Sequence, residues 1–589
     1  MRRSLHASRT FAIVGAVVTL AGVAACSSGS VGGSAGGQSS SQPHRGGTLY
    51  MLGTGDIDYM DPNISYYTVG YENLRMWERP LMSYPAIAGK STTLVPDLAQ
   101  APPVVSDGGL SYTFTIRKGA MWNTKPARQV VAADVERGLE RSCNPVKPSA
   151  ALPDYEGLIV GFTQYCTGLE NTKATLPAIN AYIKSHSIPG ITIDPSNPLT
   201  ISFKLTHPAT YFPALTAMGG FLAAPVEYLS YLPNSTDLAQ HTFSDGPYQV
   251  QSYVPGKSIV YVRNPAWSAS TDPVSKAYVD KIVVNETVSA QTVQEELQAG
   301  AQTADLYWGD TQVPASDVPG LSASHNPNLI LGATDGLNPF VIFNFADPNQ
   351  GGAMKSLQVR QAISDAINRS ALIQNAGGAQ LATPLTHVLP ADVVGSTAAS
   401  YYPYSPAKAK QVLASKHLSL KLLYQADNPV QAKIFQTIQF DLSQVGVKVS
   451  GVGVPTADIY TKYLLVPTVA KNGTWDLALD QWYPDWYGNN AVNYFYPIFD
   501  SASLAPAGAN LGLYNNSTVN NLIQQGETAT SASQAASLWT QADQQIMQQA
   551  VIYPIDVVNF AAFYSRQVHN AVFVPSIQAI DPTNVWLSS

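Results

Sequence analysis

Residues 475–490, WDLALDQWYPDWYGNN, set one carboxylate, Asp485, among four aromatic rings: Trp482, Tyr483, Trp486 and Tyr487. Aromatic walls around a single fixed negative charge suit a flat or extended ligand that carries a cation such as an ammonium group. The other reading is a strand–turn corner, in which the rings are core and Asp485 supports the turn. The nine His are scattered, with no pair at helical ligand spacing, so the sequence implies neither a metal site nor a cofactor. The one match to a hydrolase nucleophile elbow is Gly32-Gly33-Ser34-Ala35-Gly36. It lies in a Ser/Gly run with no strand before it and no helix after it, and is discarded.

Elements must hold Asp485 in place. Leu477, Leu479 and Gln481 alternate with Asp476, Ala478 and Asp480, which predicts a buried strand. Pro484 has no N–H to give a sheet and ends it. Period-2 alternation predicts further strands over 112–117, 199–205, 249–253 and 259–262, and closing strands over 555–564 and 571–573. Helices are expected over 70–77, 131–142 (Asp134 near its start), 292–299 ending at Gly300, 359–369, and 532–549 stopped by Pro554. Ser405 is expected as N-cap, with Pro406 at N1, of a helix over 407–415. Strand 418–424, helix 430–445 and strand 447–452 read as a βαβ unit with Gly446 at its turn. Strands and helices alternate without internal repeat, so the class is mixed α/β in at least two lobes.

Bulk composition limits the function. A chain of 589 residues is too long for one core. Charged residues are 12%, against roughly 25% in typical soluble proteins, and no basic cluster survives in the folded part, which argues against nucleic-acid binding. Arg2, Arg3 and Arg9 precede an apolar run over 11–23 that is too short to span a membrane. The run ends in Val23-Ala24-Ala25-Cys26, which resembles a bacterial lipobox; cleavage before Cys26 would leave that thiol to carry a diacylglyceryl anchor. Loss of residues 1–25 removes three Arg and no acid, taking the formal charge from −7 to −10. Residues 27–42 are nearly all Ser and Gly and read as a flexible tether. Cys143 and Cys166 remain. An oxidising exterior favours their pairing; two separate buried thiols are the alternative.

Several short stretches resemble the extracellular solute-binding proteins (family 5) of bacterial oligopeptide and dipeptide ABC importers. They are Gly46-Gly47-Thr48-Leu49; 112–118 with Trp122 and Ala133-Asp134-Val135; Gly246-Pro247-Tyr248; Arg263-Asn264-Pro265 with Trp267; the 359–369 helix; Tyr404-Ser405-Pro406 with Ala407-Lys408-Ala409-Lys410; and the aromatic stretch around Asp485. They occur in family order over nearly all of 45–589.

The resemblance implies an α/β, two-lobed clam of the periplasmic-binding-protein type (type II, cluster C). Behind a leader (1–25) and tether (26–44), lobe one would be 45–338 with an extra subdomain near 95–215. Lobe two would be 339–553, and 554–589 would return to lobe one. The hinge would lie near 338–340 and 553–555. The resemblance also implies a ligand set. Asp485 would take a peptide α-ammonium beside Trp482, with Tyr483, Trp486, Tyr66, Tyr67 and Asn338 as further cleft residues. Partners would be a peptide or peptide-like solute, permease and ATPase subunits, and the membrane through the Cys26 lipid, for a monomeric, non-enzymatic protein outside the cell. Two departures from the family pattern count: Asp485 is followed by Trp486-Tyr487-Gly488 rather than by Asp-Pro, and Thr124-Lys125-Pro126 stands where Asn-Gly is usual. A non-peptide solute (oligosaccharide, glutathione-like compound, metal chelate), a surface sensor and a secreted hydrolase are the other readings.

Overall fold

The computed structural model describes residues 42–455, 458–505 and 508–588. The expected leader, the lipobox with Cys26 and nearly all of the Ser/Gly tether lie outside the described residues. The chain divides into residues 1–43 and a body of 44–589, and all that follows concerns the body.

Among the described residues, three larger sheets carry the architecture. In a five-stranded sheet, Thr48–Leu52 runs parallel to Lys281–Asn285 on one side and Leu306–Tyr307 on the other. The hairpin Tyr248–Val254/Ser258–Arg263 extends it. A four-stranded antiparallel sheet is built from Val104–Ser106, Ser111–Thr115, Thr200–Lys204 and Ile191–Ile193. Ile201, Phe203, Tyr112 and Phe114 fill its inner face, as their period-2 spacing requires. Beside this sheet, Cys143 and Cys166 are joined as a disulfide with Cα atoms 5.2 Å apart.

A seven-stranded sheet centres on the long strand Leu329–Phe343. Its first half pairs with Asp556–Phe563 (Leu329 opposite Phe563, Ala333 opposite Asn559). Its second half pairs with Leu477–Trp482 and with Ile552–Pro554. The expected βαβ unit is present: Ser419–Gln425 and Lys448–Val454 run parallel, joined by the helix Pro429–Gln444. Gly446 makes the turn at φ +83°. Leu477–Trp482 is covered on both faces, so Asp476 and Asp480 are buried too. Asp476 accepts from the Lys421 N–H at 2.6 Å, and Asp480 accepts from the Tyr460 hydroxyl at 3.0 Å.

The structure corrects three local expectations. The 359–369 helix is two helices, Leu357–Ala366 and Arg369–Asn375. Ile367 is extended, and the Asn368 side chain accepts from the Ala371 N–H at 3.2 Å, so a strong N-cap interrupts the apolar period. Pro406 does open its helix, but the Ser405 hydroxyl makes no capping bond; its N–H instead donates to the Asp365 carbonyl at 2.7 Å. The last long helix, Ala532–Gln548, ends well before Pro554. Ala550, at φ +48°, turns the chain there, and Pro554 lies in the short strand that follows.

Candidate functional site

Asp485 follows directly on the end of the Leu477–Trp482 strand. Its N–H donates to Asn493 Oδ1 at 2.9 Å, and one carboxylate oxygen accepts from Asn493 Nδ2 at 2.8 Å. The other oxygen accepts from the Tyr66 hydroxyl. Tyr66 immediately precedes Tyr67, the N-cap residue of the helix Thr68–Trp77, and its N–H is tied to Asp58 at 2.6 Å. The Asp485 carboxylate is thus fixed from two parts of the chain.

One cavity opens on this carboxylate, and a second is walled by its neighbours Trp486 and Asn493. The first, of about 310 Å³, is lined by Tyr66, Tyr67, Tyr71, Tyr483, Asp310 and Asp485, with no Lys or Arg in its wall. The second, of about 400 Å³, is lined by Asp154, Tyr211, Trp486, Asn493, Tyr496 and Glu527 among others. Burial pushes the Asp485 carboxyl up, while the Tyr66 and Asn493 hydrogen bonds pull it down; the net direction is up. Burial and then the Asp485 charge push Asp154 well up. Burial and the same charge raise the Tyr66 hydroxyl, so it stays protonated as the donor. The arrangement is a cleft with an excess of carboxylates, and such a cleft favours a cationic guest.

The predicted site residues are distributed as follows. Tyr66, Tyr67, Tyr483 and Asp485 line one cavity, and Tyr67 is 65% exposed there. Asn338 donates to the Tyr483 hydroxyl at 2.7 Å and so positions that ring. Gly336 leaves the ring its room: a Cβ there would come within 2.4 Å of it. Trp486 is 3% exposed and stacks on Tyr211, with centroids 5.8 Å apart, as part of the second cavity's wall. Trp482 is in neither lining; it packs half-buried on the core with its indole N–H unpartnered. Sequence reasoning missed Asp154, Asp310, Tyr71 and Asn493. Only Tyr71 carried a local signal, four residues beyond Tyr67 and therefore on the same helix face.

Further contacts tie the 45–338 stretch to the 339–553 stretch around the site. Tyr84 donates its hydroxyl to the Tyr487 carbonyl at 3.0 Å and accepts the Tyr487 N–H at 2.9 Å. Asn489 donates to the Thr210 hydroxyl at 2.7 Å.

The family described as "Bacterial extracellular solute-binding proteins, family 5 Middle" matches residues 93–505. The chain is 26% identical over 502 residues to Heme-binding protein A of Haemophilus influenzae, covering 81% of each chain. It is 25% identical over 483 residues to the Dipeptide-binding protein of Escherichia coli, covering 78% of this chain and 80% of that one. The solved structure of Clavulanic acid biosynthesis oligopeptide binding protein 2 superposes with a TM-score of 0.81 at 22% identity, covering 93% of this chain and 96% of that one. That likeness is one of fold: mixed α/β, of the type II periplasmic-binding-protein kind. The match over 93–505 takes in both the four-stranded sheet and Asp485, and the chain belongs to the bacterial extracellular solute-binding proteins of family 5.

Proposed function

We propose that the protein captures peptides or peptide-like solutes with a free amine and delivers them to an ABC permease, without altering them. One observation carries this reading: Asp485, held by Tyr66 and Asn493, lines a cavity whose wall holds a second carboxylate, Asp310, and no Lys or Arg. A ligand ammonium would supply the missing positive charge, and leaving Asp485 unpaired would be costly. The relative named for dipeptides supports a peptide.

In this reading 45–338 with 554–589 forms one lobe and 339–553 the other. The two crossings would then fall within the strand Leu329–Phe343 and between Ile552–Pro554 and Asp556–Phe563, both of which pair with that strand, so that they would bend together. The Tyr84–Tyr487 and Tyr66–Asp485 contacts then latch the closed form. A peptide would lie extended, pairing its backbone with strand-like edges so that side-chain identity matters less. Cys26 would carry the lipid that keeps the protein at the extracellular face of the cell membrane; Cys26→Ala is expected to move it from the membrane to the soluble fraction. Retention of the variant in membranes would remove the anchor.

The experiment for the ligand is mass spectrometry of what the purified full-length protein carries, followed by calorimetric titration with the compounds found. Free-amine peptides are the expected result. A haem, a sugar or a metal chelate as the tight occupant would replace the peptide reading. Hydrolysis of bound peptide on incubation would replace the non-enzymatic one.

A further inference from the structure

A third cavity leads inward from Asp485 along the inner face of the helix Thr68–Trp77. Its wall carries Tyr71, Leu74, Arg75 and Glu78, the spacing of one helix face, with Met218 and Leu222 opposite. At its far end Glu78 is 3% exposed, and neither carboxylate oxygen has a hydrogen-bond partner. Such a group is costly to bury unpaired and calls for an explanation.

The surroundings of Glu78 do not supply its counter-charge. Arg75, the cation in the wall, is already committed to Asp581 at 2.7 Å, to the Ser83 hydroxyl and to the Tyr84 carbonyl. Glu78 meets the fields of Asp245 and Asp61. Asp61 is held by Arg141 at 2.7 Å, while Arg79 is held by Asp97 at 2.8 Å and by Asp272 at 3.6 Å. Five carboxylates (Asp61, Glu78, Asp97, Asp245, Asp272) therefore share two guanidiniums, and Asp245 also keeps an oxygen unpartnered. Burial and this crowding push the Glu78 carboxyl well up, and a cation beside it would reverse that.

We infer that this cavity is a side-chain pocket for a basic residue of the ligand, with Glu78 as the acceptor of its ammonium or guanidinium. The inference rests on the proposed capture of a free-amine peptide at Asp485. The first residue would put its α-ammonium on Asp485 and send its side chain inward. From Tyr71 to Glu78 the helix rises about 10 Å, which an extended Lys or Arg side chain of about 6–7 Å covers together with a hydrogen bond of about 3 Å at its tip. Leu74, Met218 and Leu222 would sheathe the methylenes while the charged tip reaches the carboxylate, the usual arrangement for an amphipathic side chain.

The test uses the full-length protein and two tripeptides by calorimetry: Lys-Ala-Ala and the same peptide with norleucine first, which keeps the methylenes and drops the charge. The wild type is expected to bind the lysine peptide at least tenfold more tightly. Glu78→Gln is expected to bind both within about threefold, retaining its affinity for the norleucine peptide. Equal wild-type affinity for the two peptides would overturn the inference while leaving peptide capture standing, and the cavity would then hold structural water only. A lysine preference that survives Glu78→Gln would overturn the role of Glu78. Binding of neither peptide would overturn peptide capture and the pocket with it. The wild-type comparison needs no variant, so a Glu78→Gln protein that fails to fold does not remove the test.

Discussion

Replacing Asp485 with Asn removes a charge and little else. The amide oxygen can still accept from Asn493 Nδ2, which now stands 2.8 Å from the carboxylate, and the amide N–H₂ can donate to the Tyr66 hydroxyl. The fold therefore has no reason to change, and the effect falls on the ligand's ammonium. Truncating one side of a buried, hydrogen-bonded charge pair costs about 2–5 kcal/mol. Asp485 is only half-buried and keeps two neutral donors, so the low end applies: about 2–3 kcal/mol, or roughly 30- to 150-fold in Kd.

The assay is a four-point cycle by calorimetry: wild type and Asp485→Asn, each with a peptide found to bind and with its N-acetylated form. The wild type should lose most of its affinity on acetylation, because Asp485 is then left facing an uncharged amide. The variant should bind the two forms within about threefold. A coupling energy below about 0.5 kcal/mol, the size at which independent sites already scatter, would refute the pairing of Asp485 with the ligand amine. So would a wild type indifferent to acetylation.

Tyr66→Phe removes a hydrogen bond that favours the ionised form of Asp485. A cationic ligand binds that ionised form, so affinity is full above the carboxyl's pKa and lost as pH falls through it. The variant's acid loss should begin at higher pH, read as Kd against pH; superimposable profiles would count against Tyr66 as the donor. Asp556 lies opposite Pro384 in the sheet, both its oxygens lack partners, and burial raises its carboxyl to about 8 from 3.8. The folded state thus holds this proton more tightly than the unfolded chain does. The stability it confers is present at low pH and lost as pH rises from about 4 to about 8. Asp556→Asn, which does not titrate, should match the wild type in unfolding free energy near pH 4 and exceed it increasingly up to about pH 8, by several kcal/mol at most. An equal offset at every pH would reject this. Replacing Cys143 and Cys166 together by Ala opens a link across 23 residues and should cost about 3 kcal/mol in urea unfolding with ligand affinity unchanged; an unchanged midpoint would mean the bond does not form in the purified protein.

Most elements were legible because each strand or helix writes its own period: 200–204, 258–263 and the 419–454 βαβ unit lie within two residues of expectation. The misreadings come where one local rule overrode another. The apolar period through Val359, Ile363 and Ile367 concealed Asn368, whose capping tendency wins because its N–H is also claimed by Asp441 at 2.8 Å. Asp476 and Asp480 lie on the strand expected to be buried, and the sheet, covered on both sides, gives each of them a dedicated partner.

The candidate site divides along the same line. Asp485 was legible because its aromatic neighbours are also neighbours in sequence. Tyr66 is 419 residues away, and Asp154, Asp310 and Glu78 come from other parts of the chain, so nothing local connects them. What they share is electrostatic, and it exists only after folding. Each carboxylate alone is an ordinary turn or helix-end residue, but once folded the Asp485 charge raises the cost of ionising Asp154, and Asp245 and Asp61 raise that of Glu78. A cation entering the cleft removes that cost, and the same electrostatic term therefore makes the empty site unfavourable and the occupied one selective. Neutralising Asp154 should accordingly weaken binding of a singly charged ligand less than neutralising Asp485 does, because only Asp485 is held by fixed donors in an accepting geometry. Equal losses from Asp154→Asn and Asp485→Asn would show that the charge sum, and not the position of one carboxylate, selects the guest.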